Sequence, residues 1–223
     1  VKRKVVTTAD GSTTIHLEDW NEQYHSKHGA IQEAYHVFIK YGLDFLGKQE
    51  KVRILEIGFG TGLNALITYK VASNKKQTVS YTGVEAYPVP SEEVAQLNYI
   101  DQLQSPELDS VFQRMHEMPW EMPLAVSESF ELHKRQQDFK EIDDVAAFDL
   151  VYFDAFGARV QPELWTEAIF DRMFTSLVSG GVLVTYAAKG SVRRAMQASG
   201  FEVERLPGPP GKREMLRAVK PKK

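Results

Sequence analysis

Apolar residues recur at helical spacing from Ala30 to Leu46, where Ile31, Ala34, Tyr35, Phe38, Ile39 and Leu43 share one face. Ahead of them, Lys4 to Thr8 and Thr13 to Leu17 flank Asp10-Gly11, the pattern of a β-hairpin. Asn21 to Gly29 is polar and dense in aromatics and histidine. Strand and helix patterns then alternate. Short apolar runs predict strands at Val52 to Ile57, Val79 to Glu85, Ser129 to His133, Phe148 to Phe153 and Gly181 to Ala187. Helices are predicted at Leu63 to Val71, Ser91 to Leu103, Pro162 to Val178 and Ser191 to Ser199. Gln104 to Ser127 carries Pro106, Pro119 and Pro123 and reads as an irregular insert with short helical pieces.

That alternation predicts an α/β fold with a mostly parallel sheet covered on both faces. Two last strands, Phe201 to Leu206 and Glu214 to Val219, are joined by Pro207-Gly208-Pro209-Pro210-Gly211. That link is too short for a parallel crossover, so the pair is expected to be antiparallel. The 223 residues suit a single domain over residues 1–223. Residues 1–47 hold the hairpin, a lid segment and a helix. Residues 48–223 form the doubly wound core, with the insert at 104–127.

Between the first core strand and its helix stands Leu55-Glu56-Ile57-Gly58-Phe59-Gly60-Thr61-Gly62-Leu63-Asn64. Its glycines permit a sharp turn and close approach of a ligand to the backbone. The helix start behind it offers free amide donors. The G-x-G-x-G spacing is neither the dinucleotide fingerprint nor a P-loop. The next strand ends in Glu85, which at that position can accept both ribose hydroxyls of a nucleoside. Each feature alone also fits a plain tight turn or a surface acid. In order and together, they point to a nucleoside ligand.

Phe148 to Phe153 delivers Asp154 to the same rim of the sheet. A carboxylate at a buried strand end is costly unless it is hydrogen-bonded or used. Capping is one reading. Facing a reactive sulfonium and holding an amine nucleophile in line is the other. Phe156 and Trp165 fit either core packing or a stacking wall for a base.

Four blocks carry a resemblance to a known family. They are Tyr24 to Ala30 with Glu33, Glu56 to Asn64, Asp154 to Trp165, and Lys212-Arg213-Glu214-Met215-Leu216-Arg217 with Val192-Arg193-Arg194 before it. The chain resembles the methyltransferase domain of the bifunctional bacterial enzymes of tRNA 5-methylaminomethyl-2-thiouridine biosynthesis, and a stand-alone form lacking the flavin oxidase half is the expectation. The resemblance implies a class I S-adenosylmethionine-dependent methyltransferase fold, with a seven-stranded mostly parallel sheet and one antiparallel strand. S-adenosyl-L-methionine would be the cofactor, held by Glu56, Gly58, Phe59, Gly60, Thr61, Gly62 and Asn64. Glu85 would take the ribose and Asp138 the adenine end, under a lid that includes Tyr24 and Ser26. Asp154 would be the catalytic residue facing the acceptor amine, the 5-aminomethyl group of the tRNA wobble uridine. The acidic loop departs from the family pattern at Ala158, Val160 and Gln161.

Charge adds to this picture. From Gly180 to Lys223 there are ten Lys/Arg and three Asp/Glu, whereas the rest has 17 basic and 27 acidic residues. From charge alone, a basic end on an acidic body fits either a polyanion-binding face or a solvated, lysine-ended tail. With the resemblance, Lys189, Arg193, Arg194, Lys212, Arg213 and Arg217 are the candidate phosphate contacts to tRNA, and Phe156 and Trp165 the candidate base-stacking residues. The chain has no cysteine, which excludes disulfides, thiolate metal sites and a cysteine nucleophile. His25 and His28 are too sparse for a metal, so none is expected. No apolar run is long enough to span a bilayer, and a cytoplasmic, membrane-free protein is the expectation. A polyamine-synthase-like alkyltransferase and a catalytically silent RNA-binding module are the competing readings.

Overall fold

The computed structural model describes residues 2–222. Arg3–Thr7 (β1) and Thr13–Leu17 (β2) form the predicted hairpin, to which Glu22–Gln23 (β3) adds a third antiparallel strand. A helix follows, α-helical at Ala30–Ala34 (α1) and continuing as a π-helix at Tyr35–Lys40. It buries Val37, Phe38 and Ile39, in keeping with the apolar spacing. A separate 3-10 turn covers Leu43–Leu46.

The central sheet begins with Lys51–Ile57 (β4), followed by helix Leu63–Lys75 (α2) and Thr78–Val84 (β5). The predicted helix from Ser91 to Leu103 is two pieces, Ser91–Val94 (α3) and Tyr99–Gln102 (α4). Asn98 breaks it: its backbone N–H donates to Thr13 Oγ1 (3.0 Å), and its side-chain oxygen accepts from Thr13 N (2.8 Å). This stitch ties the N-terminal sheet to the main body.

The segment expected to be irregular is largely ordered. It contains helix Asp109–Glu117 (α5) and strand Pro123–Ser127 (β6). Burial of Phe112 and Met115 on one face of α5 outweighs the proline punctuation around it. Then come Phe130–Arg135 (β7), Phe148–Phe153 (β8), Glu167–Ser176 (α6), Leu177–Thr185 (β9), Gly190–Ala198 (α7), Glu202–Pro207 (β10) and Glu214–Val219 (β11). Helix α6 starts later than the sequence suggests. Pro162–Trp165 forms a 3-10 turn, and Thr166 is extended before the α-helix begins.

The strand order is β10-β11-β9-β8-β4-β5-β7-β6. Seven strands form the expected sheet, with β11 antiparallel to both neighbours. The eighth, β6, pairs antiparallel on the edge strand β7. Alternation sorts the side chains of the strands to the two faces. Leu150 and Tyr152 join the core under α1 and α2, while Val151 and Phe153 join that under α6 and α7. Asp149 is a buried acid on β8. It accepts from the Arg53 backbone N–H (2.8 Å) and from the guanidinium (3.0 and 3.1 Å), which offsets the cost of its burial.

From β4 the chain builds outward to β5 and β7, then returns to lay β8 and β9 on the other side. The order reverses between β4 and β8. In open α/β sheets, ligands bind beyond the carboxyl ends of the strands at such a point.

Candidate active site

Gly58 and Asp154 leave the sheet side by side at this reversal. The Asp154 N–H donates to Ile57 O (2.9 Å), and the Gly58 N–H donates to Val84 O (2.9 Å). Gly58 sits at φ +90°, and a Cβ there would lie 2.8 Å from the Asp154 carbonyl oxygen. Glycine is therefore required both for the turn and for the close passage of the two chains. Gly60 turns at φ +51° against the Tyr24 ring, and Gly62 at φ +76° opens α2.

Over this rim lies a cavity of about 660 Å³, bounded by the glycine loop, Glu85, Asp138, Asp154, Tyr24 and Phe156. Glu85 is buried at its edge. Its carboxylate accepts from the Gly60 N–H (3.1 Å) and the Tyr87 N–H (3.0 Å), with burial pushing its pKa up. Asp138 is exposed and caps a short turn by accepting from Lys140 N (2.9 Å). Tyr24 and Phe156 meet edge to face at 4.9 Å and close one side.

Asp154 is held from below. Asn64 Nδ2 donates to Asp154 Oδ2 (2.8 Å) and also to Glu56 Oε1 (2.9 Å). The other Glu56 oxygen accepts from Tyr81 OH (2.8 Å). Burial raises the Glu56 pKa to about 8 against these stabilising hydrogen bonds. Burial, and then the charges of Glu33 and Glu56, raise the Asp154 pKa well above the ordinary carboxylate value, while Asn64 and Lys212 oppose the rise. Asn64 Oδ1 is a buried acceptor without a partner in the cavity wall.

The structure brings Tyr24, Gly58, Phe59, Gly60, Thr61, Asn64, Glu85, Asp138, Asp154 and Phe156 to this one cavity. Other predicted residues go elsewhere. Glu56 is fully buried beneath Asn64, because its position on β4 points it into the sheet core. Gly62 turns toward His116 and Phe59 rather than the cavity. Ser26 lines a second cavity of about 570 Å³, where its backbone N–H donates to Glu33 Oε1 (3.0 Å). Trp165 is 5% exposed and lies outside both cavities. It packs on Phe153, Phe170 and Tyr186, and its indole N–H donates to Phe156 O (2.7 Å). The core reading of Trp165 therefore replaces the stacking one.

Among the basic residues, Lys212 is drawn inward to Glu33 Oε2 (2.7 Å) and over the Tyr186 ring. Arg217 pairs with Glu204. Lys189 and Arg213 are exposed along a groove that also takes in Arg159 and continues from the second cavity past Gly157, Tyr186 and Lys212. Arg193 and Arg194 lie on α7, beside that groove rather than in it. His25 is buried, its Nδ1 on Thr14 Oγ1, and burial lowers its pKa to about 4. His28 is exposed and packs against Gly211.

Several wall residues have no sequence signal as site residues. Arg3, Trp20, Gln161 and Glu163 line the first cavity, and Tyr186 the second. Arg3 arrives on β1 of the predicted hairpin and Trp20 on the 3-10 turn after β2, and no local motif shows that either reaches the cavity. Glu33 stands in a resemblance-carrying block but carries no motif of its own.

Fold and cavity together define the class: the fold is that of class I S-adenosyl-L-methionine-dependent methyltransferases. The cavity suits that cofactor in size. Glycines leave loop backbone open to it, a carboxylate stands at the end of β5, and Asn64 in the cavity wall keeps a buried amide oxygen without a protein partner.

Residues 126–221 match the sequence family described as S-adenosyl-L-methionine-dependent methyltransferase. The chain is 31% identical, over 212 residues, to the tRNA 5-methylaminomethyl-2-thiouridine biosynthesis bifunctional protein MnmC of Cupriavidus metallidurans. That match covers 88% of this chain and 31% of the relative. The chain thus spans about a third of the length of the curated relatives it matches. Among solved structures, MnmC2 from Aquifex aeolicus superposes with a TM-score of 0.80 at 25% identity, covering 100% of this chain and 71% of that one. Spermidine synthase from Thermotoga maritima shares the fold, with a TM-score of 0.59 at 12% identity over 99% of this chain and 69% of its own.

Proposed function

We propose that this protein transfers a methyl group from S-adenosyl-L-methionine to the 5-aminomethyl nitrogen of the tRNA wobble uridine, or of its 2-thio form. The Asp154 carboxylate, clamped by Asn64 beside the glycine loop, supports this function above all. The similarity to MnmC supports the tRNA acceptor.

Bound S-adenosyl-L-methionine supplies a methyl carbon already activated by the positive sulfur. The chain has to orient the acceptor, exclude water and manage one proton. An alkylammonium has no lone pair, so the acceptor must reach the site as a free amine or lose a proton there. Asp154 serves both needs. As a carboxylate it accepts an N–H hydrogen bond that aims the nitrogen lone pair. Its raised pKa also makes it a better proton acceptor than a solvent-exposed carboxylate. With the donor bound, the nitrogen lone pair would form the new N–C bond at the expense of the donor's C–S bond, whose electrons would stay on sulfur, and Asp154 would take the proton released.

On the donor side, Gly58 and Gly60 would hold the cofactor along their backbone and Glu85 its ribose hydroxyls, with Asp138 at the adenine end. Tyr24 and Phe156 would close over the reacting atoms. On the RNA side, Lys189, Arg213 and Arg159 would follow the phosphate backbone, with Arg193 and Arg194 adding longer-range attraction.

The test is labelled methyl transfer from S-adenosyl-L-methionine to tRNA bearing 5-aminomethyluridine. Asp154→Asn preserves the shape and should lower the rate by about a hundredfold or more. Transfer to diamines with none to tRNA would overturn the acceptor. Donor binding without turnover on any RNA would overturn the activity.

A further inference from the structure

The second cavity adjoins the first across Tyr24, His25, Ala155 and Phe156. Its polar wall is the ion pair of Glu33 and Lys212, with Lys212 Nζ 2.7 Å from Glu33 Oε2 and 3.8 Å from the Tyr186 ring centroid. The fold builds this pair deliberately. Gly211, at φ +82°, packs so closely on His28 that any Cβ would collide with the ring, which brings Lys212 against α1. Glu33 Oε1 is occupied by the Ser26 N–H, and Tyr186 OH donates to Ala155 O (2.7 Å). Lys212 has further N–H donors, and Glu33 Oε2 has a further lone pair. The wall therefore presents one donor and one acceptor side by side, flanked by the aromatic rings of Tyr24, Phe156 and Tyr186.

A keto-amide edge, C=O beside N–H, is the complement of such a wall. Uracil carries that edge at O4 and N3–H. We propose that Lys212 and Glu33 read the O4 and N3–H groups of a uracil base, and so select uridine over cytidine as the methyl acceptor. This rests on the RNA methylation proposed above. Carbon 5 is bonded to carbon 4, so a base held by O4 carries its aminomethyl arm on the Lys212 side. Asp154 lies within electrostatic reach of both Lys212 and Glu33, and it lines the first cavity, which joins this one across Ala155 and Phe156. Cytosine presents the reverse order, an amine donor toward Lys212 and a bare N3 toward the Glu33 carboxylate, and both contacts become repulsive. Position 2 lies beyond N3 and is not read by this pair, so 2-oxo and 2-thio bases should both be accepted.

The experiment uses tRNAs assembled by ligation to carry 5-aminomethyluridine or 5-aminomethylcytidine at the same position. The unaltered protein should favour the uridine form in kcat/KM by roughly a hundredfold. Glu33→Gln can turn an amide N–H toward N3, which suits cytosine. The uridine preference should then fall by about tenfold or more, with S-adenosyl-L-methionine affinity by calorimetry held within about twofold. Lys212→Met, which loses the O4 donor, is the second variant and should narrow the preference mainly through KM on the uridine substrate; either variant that folds decides the matter. An unchanged uridine-to-cytidine ratio with donor affinity intact would overturn the base reading and leave RNA methylation standing. No transfer to either tRNA by the unaltered protein would overturn the function itself, and the base reading with it.

Discussion

Asn64 donates to Asp154 over 2.8 Å, although 90 residues separate them in the chain. The same nitrogen also donates to Glu56, so one amide on the first turn of α2 bridges two acids under the cavity floor. The arrangement gives Asp154 a fixed direction without neutralising it, which a lysine or arginine in that place would do.

Replacing Asn64 by alanine should release Asp154 and leave Glu56 without one of its two donors. We expect kcat on 5-aminomethyluridine tRNA to fall by ten- to a hundredfold, roughly the effect of losing orientation at a reacting group. Stability should fall by about 1–3 kcal/mol, since a buried acceptor loses its partner. Steady-state kinetics and denaturant titration check the two effects separately. Full activity in the alanine variant would refute the positioning role.

Stability should depend on pH through Glu56. Its pKa is about 8 in the folded protein and near the ordinary 4.5 when unfolded. The folded state thus binds a proton that the unfolded state releases across this interval. Stability contributed by the protonated form is fully present below the unfolded value, declines as pH rises, and levels off above about 8. Thermal melts should therefore drop between pH 6 and pH 8. Glu56→Gln should flatten that stretch, because the amide does not titrate. A slope unchanged by the substitution would assign the dependence to other groups.

Affinity for tRNA should fall steeply as salt is added, in proportion to the phosphates neutralised. Lys189→Ala and Arg213→Ala should each lower the slope of log K against log salt by about one unit. Lys212→Met should leave that slope nearly unchanged, because Lys212 is already paired with Glu33. Filter binding across a salt series distinguishes these outcomes, and a slope change at Lys212 equal to that at Arg213 would contradict the assignment.

Much of the sheet was legible along the chain. β4, β5 and β8 are apolar runs bounded by glycine or polar residues, and their buried positions follow from that alone. The glycine loop was legible because positive φ and close approach leave no other residue suitable. Helix breaks were not. The one at Asn98 depends on Thr13, 85 positions earlier. The order of α5 and β6 depends on a buried face rather than on local propensity. Trp165 looked equally suited to a core and to a binding wall, since an aromatic residue has the same local signature in both.

By itself the sequence determined which backbone stretches become strands, where the chain must turn through glycine, and which acids stand at strand ends. Those properties follow from side-chain alternation and backbone sterics within a few residues. Only the tertiary structure decided that Asn64 clamps Asp154, that Lys212 turns inward to Glu33, and that Glu56 serves the floor of the cavity instead of its lining. Those outcomes depend on which distant groups share a buried space, where each donor and acceptor must find a partner away from water.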